Sequence, residues 1–492
     1  MRLSGRSSIR FLRRGQVVEL GGASARGTVL DYLRLEEKSR GTKEGCNEGD
    51  CGACTVALGS LREGRVVYEA VNACILLLGQ IDGKELVVVD DLAQDGELHP
   101  VQQAMVDHHG SQCGFCTPGF VMSLFALHHA GHRPERGEIV DHIAGNLCRC
   151  TGYRPIVDAA IASCTGMPAD KWTREEKTIA SQLESLDHGS DIFIGGETNF
   201  MAVPARPDTL ASLAAAHPDA TVIAGATDVG LWITKQLRRL PKAIHLSKIK
   251  ELREIADSKD ELLLGAAVTY AEASGALAAI DPDMGEVLRR LGAKQVRAMG
   301  TIGGNIANGS PIGDMPPMLI ALGASLHLRH GDTLRQMPIE DFFLAYGKQD
   351  RKPGELVWRI AIPKLKANEA FRAYKISKRF DQDISAVMAA FKFTLEEGRV
   401  TQARVAFGGM AATPKRAAQT EQALTGLSLD TPSAWSPVLA ALAGDFQPIS
   451  DMRASAAYRL HVSQSLLHKA LIEIAGAATG ETRLIGKREE AA

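Results

Sequence analysis

The apolar positions of the chain change period several times along its length. Near the start, "SIRFLRRGQVVEL" contains a twin arginine in "FLRRG" with no apolar region behind it, and we read this stretch as strand. A helical period follows in "TPGFVMSLFALHHA", where Phe120, Val121, Leu124, Phe125 and Leu127 form one stripe. Thr117 is placed to cap that helix and Pro118 to open it. "HPVQQAMVDHHG" precedes it, and "RGEIVDHIAGNL" and "RPIVDAAIAS" supply two more short helices, so the region predicts four helices facing one another. Residues 166–190 are polar and charged and read as a linker, partly helical. Beyond them, "PDATVIAGATDVGLWITK" predicts a strand, a glycine turn and a helix. "AKQVRAMGTIGGNIANGSPIGDMPPMLIALGA" reads as one long glycine-rich loop system. Strands then return with a hairpin at "EEGR", and "SAAYRLHVSQSLLHKALIEIAG" closes with a long amphipathic helix.

Composition narrows the function classes. The 492 residues suggest about three domains at ~150 residues each. Lys and Arg total 56 against 58 Asp and Glu, a net charge of −2 that recruits neither nucleic acid nor an anionic membrane. No stretch approaches the ~20 apolar residues of a membrane span, and the N-terminus lacks a signal-peptide apolar run. A cytoplasmic protein is expected, where stable disulfides are rare.

All nine cysteines fall in the first third. Cys46, Cys51, Cys54 and Cys74 read C-x4-C-x2-C and a later fourth, the opening of a plant-type [2Fe–2S] ferredoxin. Gly45, Gly49 and Gly52 permit close backbone approach to the sulfurs. A disulfide, structural zinc and a redox dithiol compete. A disulfide lacks an export signal, zinc usually wants two CxxC-like pairs, and a dithiol accounts for only two of the four residues. The cluster is favoured. Cys113 and Cys116 (C-x2-C) with Cys148 and Cys150 (C-x-C) form a second set, which taken alone also suits zinc. Following a ferredoxin loop, it reads as a second [2Fe–2S] site. Cys164 is left as an ordinary buried thiol, and the pairs His108/His109 and His128/His129 as structural or surface residues.

The glycine-rich turns suit a cofactor diphosphate, since backbone N–H groups wrap it where no Cβ intervenes. Neither GxGxxG nor GxxxxGK[ST] occurs, which disfavours a Rossmann site and a P-loop. No Ser–His–Asp signature or further metal motif stands out. The pieces describe electron handling.

"CNEGDCGACTV", "QCGFCTPGF", "NLCRCTGYRPI" and "TIGGNIANGSPIGD", in this order, form a specific combination. From about residue 8 to 475 the chain resembles the small subunits of xanthine dehydrogenases, the iron–sulfur/FAD chains of the molybdenum hydroxylase family. The resemblance implies a multidomain α+β fold. It comprises a plant-type ferredoxin (β-grasp) domain over 1–90 and an all-α four-helix [2Fe–2S] domain over 91–165, then a linker over 166–189. An α+β FAD-binding domain of the vanillyl-alcohol-oxidase/PCMH-like type follows over 190–366, a small α+β C-terminal flavoprotein domain over 367–478, and a tail over 479–492. It implies Cys46, Cys51, Cys54 and Cys74 on the first cluster, and Cys113, Cys116, Cys148 and Cys150 on the second. Contacts to FAD would come from Ile223, Ala224, Gly225, Ala226, Thr227, Asp228 and Val229, and from Thr301, Ile302, Gly303, Gly304, Asn305, Asp314 and Lys375. Gln112 matches a glutamine that contacts the molybdopterin of a partner, and Tyr346 and Gln382 stand near an NAD site. Two departures are visible: Leu291 stands where relatives often place an aromatic, and Gln382 where some have an acidic residue.

The implied activity is electron transfer during oxidation of hypoxanthine and xanthine to urate. Electrons would come from a molybdenum cofactor on a large partner subunit, pass through two [2Fe–2S] clusters to FAD, and reach NAD+. An (αβ)2 heterotetramer is expected, with no catalytic residue on this chain. The alternatives are the equivalent subunit of a molybdenum hydroxylase acting on an aldehyde, a nicotinate-like ring or carbon monoxide, and a stand-alone ferredoxin–flavin reductase.

Overall fold

A computed structural model of the chain describes residues 5–483 apart from 23–25, 187–188 and 479. The expected tail lies outside the described residues except for 480–483. The chain divides into two compact units, Met1–Lys250 with Gly292–Gly300, and Glu251–Leu291 with Thr301–Ala492.

The first unit opens with a five-stranded sheet in the order Gln16–Gly21, Ser8–Arg13, Glu85–Val87, Thr55–Arg62, Arg65–Asn72. The pair Ser8–Arg13 and Glu85–Val87 is parallel, and the other pairs are antiparallel. Its two tight hairpins turn at Arg14–Gly15 and Glu63–Gly64, where all four φ angles are positive, the geometry that matches the right-handed twist of the flanking strands. Ile9, Phe11, Val56 and Leu58 pack with Val29, Leu30 and Leu33 of a short helical stretch to form the core beneath the sheet.

Four helices follow, Pro100–Asp107, Thr117–His128, Arg136–Ile143 and Tyr153–Ser163. The residue capping the second is Cys116, with Thr117 already in its first turn. Thr117 instead donates its hydroxyl to Ser111 Oγ at 2.8 Å. Residues 166–186 do not cross open solvent. Lys171–Arg174 and Glu176–Leu186 are helices, and Trp172, Ile179 and Leu183 join Phe120, Phe125 and Ile156 in the core of the bundle. A four-stranded sheet completes the unit, in the order Ile192–Gly196, Asn199–Val203, Lys242–His245, Thr221–Ile223.

The second unit contains an antiparallel five-stranded sheet, Ile255–Asp257, Glu261–Gly265, Leu356–Pro363, Ser325–His330, Thr333–Pro338 in that order. A second antiparallel sheet joins Glu369–Ile376, Val387–Glu396, Arg399–Gly408 and Lys415–Arg416. The hairpin expected at "EEGR" is present, with Glu397 and Gly398 both at positive φ. The long helix Ala456–Ile474 buries Leu466, Leu467, Ala470 and Leu471 against Phe391, Phe393 and Phe407 of that sheet. The stretch read as one glycine loop is largely helical: Lys294–Arg297 in the first unit, and Ile302–Asn308 and Met315–Leu322 in the second. Among the described residues no helix is long and apolar enough to cross a membrane.

Candidate iron–sulfur and flavin sites

All nine cysteines are free thiols, so the disulfide reading fails. In the loop 46–54 the backbone turns inward on the sulfurs. Cys46 Sγ accepts the N–H of Asp50 at 3.4 Å and of Cys51 at 3.3 Å, while Cys51 Sγ accepts the N–H of Cys46 at 3.3 Å. The hydrogen bond with Cys51 draws the Cys46 thiol down to about 5, and raises Cys51 with help from burial. Cys74 is raised by its bond to Cys54, by burial, and by the charges of Cys54 and Cys46. Those interactions put the four sulfurs of this set in one small space. N–H groups aimed at sulfur stabilise thiolates and tune a bound metal centre.

The second set converges in the same way between two turns of the helical bundle. Cys113 is lowered by the N–H of Phe115 and by a bond with Cys150. Burial pushes Cys116 up to about 12, reinforced by Cys148 and Cys113. Gly152 N–H donates to Cys148 Sγ at 3.4 Å, and the Cys148 N–H donates to the Tyr153 hydroxyl at 2.8 Å. Cys113 is exposed, and Phe115 and Leu147, which directly precede Cys116 and Cys148 in the chain, are half-exposed. Gln112 lies at the same edge, donating through Nε2 to the Cys150 carbonyl at 3.3 Å. Two sets of four sulfurs in N–H-lined turns fit two iron–sulfur clusters.

The two turns touch. Leu147 N–H donates to the Cys51 carbonyl at 2.9 Å, so a short run of bonds joins Cys148 to Cys51. Asn146 Nδ2 donates to the Gly52 carbonyl at 3.1 Å. A fully buried Gln295 sits over this junction, its Nε2 within 3.3 Å of Thr55 Oγ1, 3.2 Å of Ser123 Oγ and 3.0 Å of Asn146 Oδ1. Sequence reasoning missed Gln295, since nothing in "AKQVRAMG" marks it. Asn146, two positions before Cys148, carried a faint signal.

Of the expected flavin contacts, Ile223–Val229 form a turn in the first unit, between the strand Thr221–Ile223 and the helix Val229–Thr234. Gly225 is pressed so closely on the Met299 carbonyl that an added Cβ would lie 2.0 Å from it. Ala226 holds a positive φ of 60°, and Gln80 Nε2 bonds the Ala224 carbonyl at 3.0 Å. The helix after the turn lies against the first sulfur set. A Cβ on Gly230 would meet Ile75 Cβ at 2.7 Å, one residue beyond Cys74, and Lys235 Nζ donates to the Cys46 carbonyl.

The other expected contacts lie in the second unit. Thr301 caps the helix Ile302–Asn308, its hydroxyl accepting the Gly304 N–H at 3.1 Å. Gly303 serves packing here, since a Cβ would lie 2.5 Å from Ala266. Asn305 Oδ1 is buried without a hydrogen-bond partner. Such an orphaned acceptor fits a ligand donor such as a ribityl hydroxyl of FAD. Asp314 and Lys375 are brought together as a buried ion pair, Nζ to Oδ2 2.6 Å, with Ser385 Oγ donating to Asp314 Oδ1. Tyr346 is exposed beside the turn at Gly347, and Gln382 holds a positive φ of 56°. Leu291 is half-buried at the end of its unit's first segment.

Cys164 is buried as expected, its thiol pushed up to about 11 by burial. His108 and His109 are exposed, whereas His128 is buried and His129 nearly so.

Three family models match the chain: a [2Fe-2S] binding domain over 88–161, an FAD binding domain in molybdopterin dehydrogenase over 197–365, and a CO dehydrogenase flavoprotein C-terminal domain over 372–474. Xanthine dehydrogenase of Emericella nidulans is 30% identical over 89% of this chain and 36% of its own length. Xanthine dehydrogenase/oxidase of Mus musculus is 32% identical over 82% of this chain and 34% of its own. The chain thus spans about a third of the length of these relatives. Among solved structures, a chain of a Cu,Mo-CO dehydrogenase superposes at a TM-score of 0.53 with 27% identity, covering 58% of this chain and all of that one. A chain of quinoline 2-oxidoreductase from Pseudomonas putida 86 gives 0.51 and 26%, over 56% of this chain and 97% of that one.

Proposed function

Because the chain belongs to the molybdenum hydroxylase family, as its iron–sulfur and FAD portion, we propose that it serves a xanthine dehydrogenase, conveying electrons from a molybdenum centre on a partner subunit to NAD+. The observation that carries the proposal is a linear order within the first unit. The exposed edge at Cys113 leads to Cys148, then by way of Leu147 to Cys51, and from Cys46 and Cys74 to the helix that follows the 223–229 turn.

Cys46, Cys51, Cys54 and Cys74 would hold one [2Fe–2S] cluster, and Cys113, Cys116, Cys148 and Cys150 the other. In the first unit the 223–229 turn, and separately in the second Thr301–Asn305, Asp314 and Lys375, are the residues proposed to contact FAD. When bound, these groups supply one-electron exchange and, at the flavin, two-electron hydride chemistry. The chain's own residues fix spacing, aim N–H groups at sulfur, and keep Cys54 and Cys74 from water. Gln112 and the apolar edge around Phe115 are the proposed contact with the molybdenum subunit, and Tyr346 and Gln382 the proposed NAD residues. A cytoplasmic (αβ)2 assembly goes with this reading.

The test is Cys116→Ala in the purified complex. Xanthine-to-NAD+ turnover should fall at least ~100-fold, while NADH oxidation by a dye acceptor stays within about twofold, since two-electron exchange at the flavin does not need the second cluster. Turnover that survives the substitution refutes the route. A second reading, the same role in a hydroxylase of another substrate, is favoured by the carbon monoxide and quinoline enzymes among the similar structures. Turnover of those substrates by the same complex, in place of xanthine, would select it.

A further inference from the structure

One buried cluster of ligating side chains in the first unit belongs to neither sulfur set nor flavin turn. Asp170 caps the helix Lys171–Arg174, its Oδ1 accepting the N–H of Thr173 at 2.9 Å and that residue's hydroxyl at 3.0 Å. Its Oδ2 receives His99 Nε2 and His129 Nε2, each at 2.8 Å. Burial opposes the charge on this carboxylate, but the bonds from His129 and His99 hold its pKa far below the usual range.

His128 is the odd member. Its Nδ1 donates to the Ser163 carbonyl at 2.8 Å, which fixes the ring proton there and leaves Nε2 as a bare lone pair. That lone pair faces Asp170 Oδ2 at 4.0 Å, and Nε2 has no hydrogen-bond partner. The residue is only 3% exposed. A lone pair and a carboxylate oxygen repel each other across this gap, and a cation between them would satisfy both. A proton does not fill the role at neutral pH, because burial, His129 and His99 push His128 down to about 4.

We propose that His99 Nε2, His128 Nε2 and Asp170 Oδ2, whose ligating atoms lie within 4.8 Å of one another, bind a divalent transition metal of the zinc class, with His129 donating to the coordinated carboxylate. Two imidazoles and one carboxylate are a donor set such ions accept. An imidazole whose other nitrogen donates to a backbone carbonyl is the usual outer arrangement of a metal-bound histidine, and His128 has it already. His99 bears the cost. Its Nδ1 now accepts the Val101 N–H at 3.2 Å, so its proton sits on Nε2. Binding moves that proton to Nδ1 and gives up the cap bond, with no proton leaving the site. The ion would fasten three segments: the start of Pro100–Asp107, the end of Thr117–His128, and the helix that follows Asp170.

The test uses full-length, cluster-loaded protein, dialysed to equilibrium against micromolar Zn2+ with zinc and iron counted together. Wild type should take up about one zinc per chain with its iron unchanged. His128→Asn keeps an amide N–H for Ser163 but lacks Nε2, and should lose that zinc while keeping its iron, as should Asp170→Asn. X-ray absorption at the zinc edge of the wild-type protein should show nitrogen and oxygen at about 2.0–2.1 Å and no sulfur near about 2.3 Å. Absence of zinc from wild type, retention by His128→Asn, or a sulfur shell would each overturn the proposal.

Discussion

Gly52 is the position at which the junction between the two sulfur sets is most sharply tested. Its φ of +67° lies in the left-handed region, and a Cβ built on it falls 2.2 Å from the Gly145 carbonyl oxygen and 3.0 Å from Asn146 Cα. Gly52→Ala therefore carries two separate costs. Holding alanine at positive φ costs about 1–2 kcal/mol. Relieving the overlap also means moving backbone against backbone by about 1 Å, because no flexible side chain can yield there. That movement stretches the bonds from Leu147 N–H to Cys51 and from Asn146 Nδ2 to Gly52. Each contributes about 1 kcal/mol. The total is about 3–4 kcal/mol. Gly64 supplies the control, with a φ of +78° and nothing within 4 Å of its added Cβ. Gly64→Ala should lose only the conformational part, about 1–2 kcal/mol. Urea unfolding of the cluster-loaded protein, followed by visible circular dichroism, measures both. Equal losses in the two variants would refute the claim that the loops are locked together at Gly52.

Other consequences follow from the buried charges and thiols. Lys375→Met removes the ammonium bonded to the buried Asp314 carboxylate and leaves the Ser385 hydroxyl on Oδ1, and should destabilise the protein by about 3–5 kcal/mol in chemical denaturation. Adding Asp314→Asn should recover most of that loss, and no recovery would count against the pairing. Burial pushes Glu85 up to about 7 against the hydrogen bonds from Tyr68 and Trp172. With its folded pKa above the unfolded value, the protonated form is favoured in the fold, so stability is fullest below about pH 4.5 for this group and is lost as pH rises through 7. The loss is on the order of 3 kcal/mol. Glu85→Gln should flatten that fall in urea midpoints measured between pH 5 and 8. Cys164→Ala should cost roughly 1 kcal/mol for its small cavity and leave iron content unchanged, and a fall in iron would return Cys164 to the ligand question.

What was legible in the sequence was local. Three cysteines of the first set lie within nine residues, so one turn gathers them, and spacing alone predicted it. The same holds at "EEGR", where a Glu-Gly pair meets the positive φ demanded by a tight hairpin. Glycine misled where its reason was packing. Gly303 read as loop, yet it sits in the helix Ile302–Asn308 because Ala266 approaches too closely for a side chain. The polar 166–190 segment read as a linker because its charged residues outnumber its apolar ones. Its few apolar residues, Trp172, Ile179 and Leu183, recur at helical spacing and close the bundle core.

The deeper omission was of residues whose role exists only in three dimensions. Gln295 comes from 140 or more positions beyond the cysteines and bonds Thr55, Ser123 and Asn146 at once. Its own Oε1 is buried without a hydrogen-bond partner, while the three groups it meets are also bonded to one another, Ser123 Oγ to Asn146 Oδ1 at 2.7 Å and Asn146 Nδ2 to Thr55 Oγ1 at 3.3 Å. A leucine of similar size would fill the space but would not reinforce the direct bond between Asn146, two residues before Cys148, and Thr55, next to Cys54. The two turns are thus joined by the Leu147 N–H on the backbone, by Asn146 to Gly52 and Thr55, and by Gln295 through side chains.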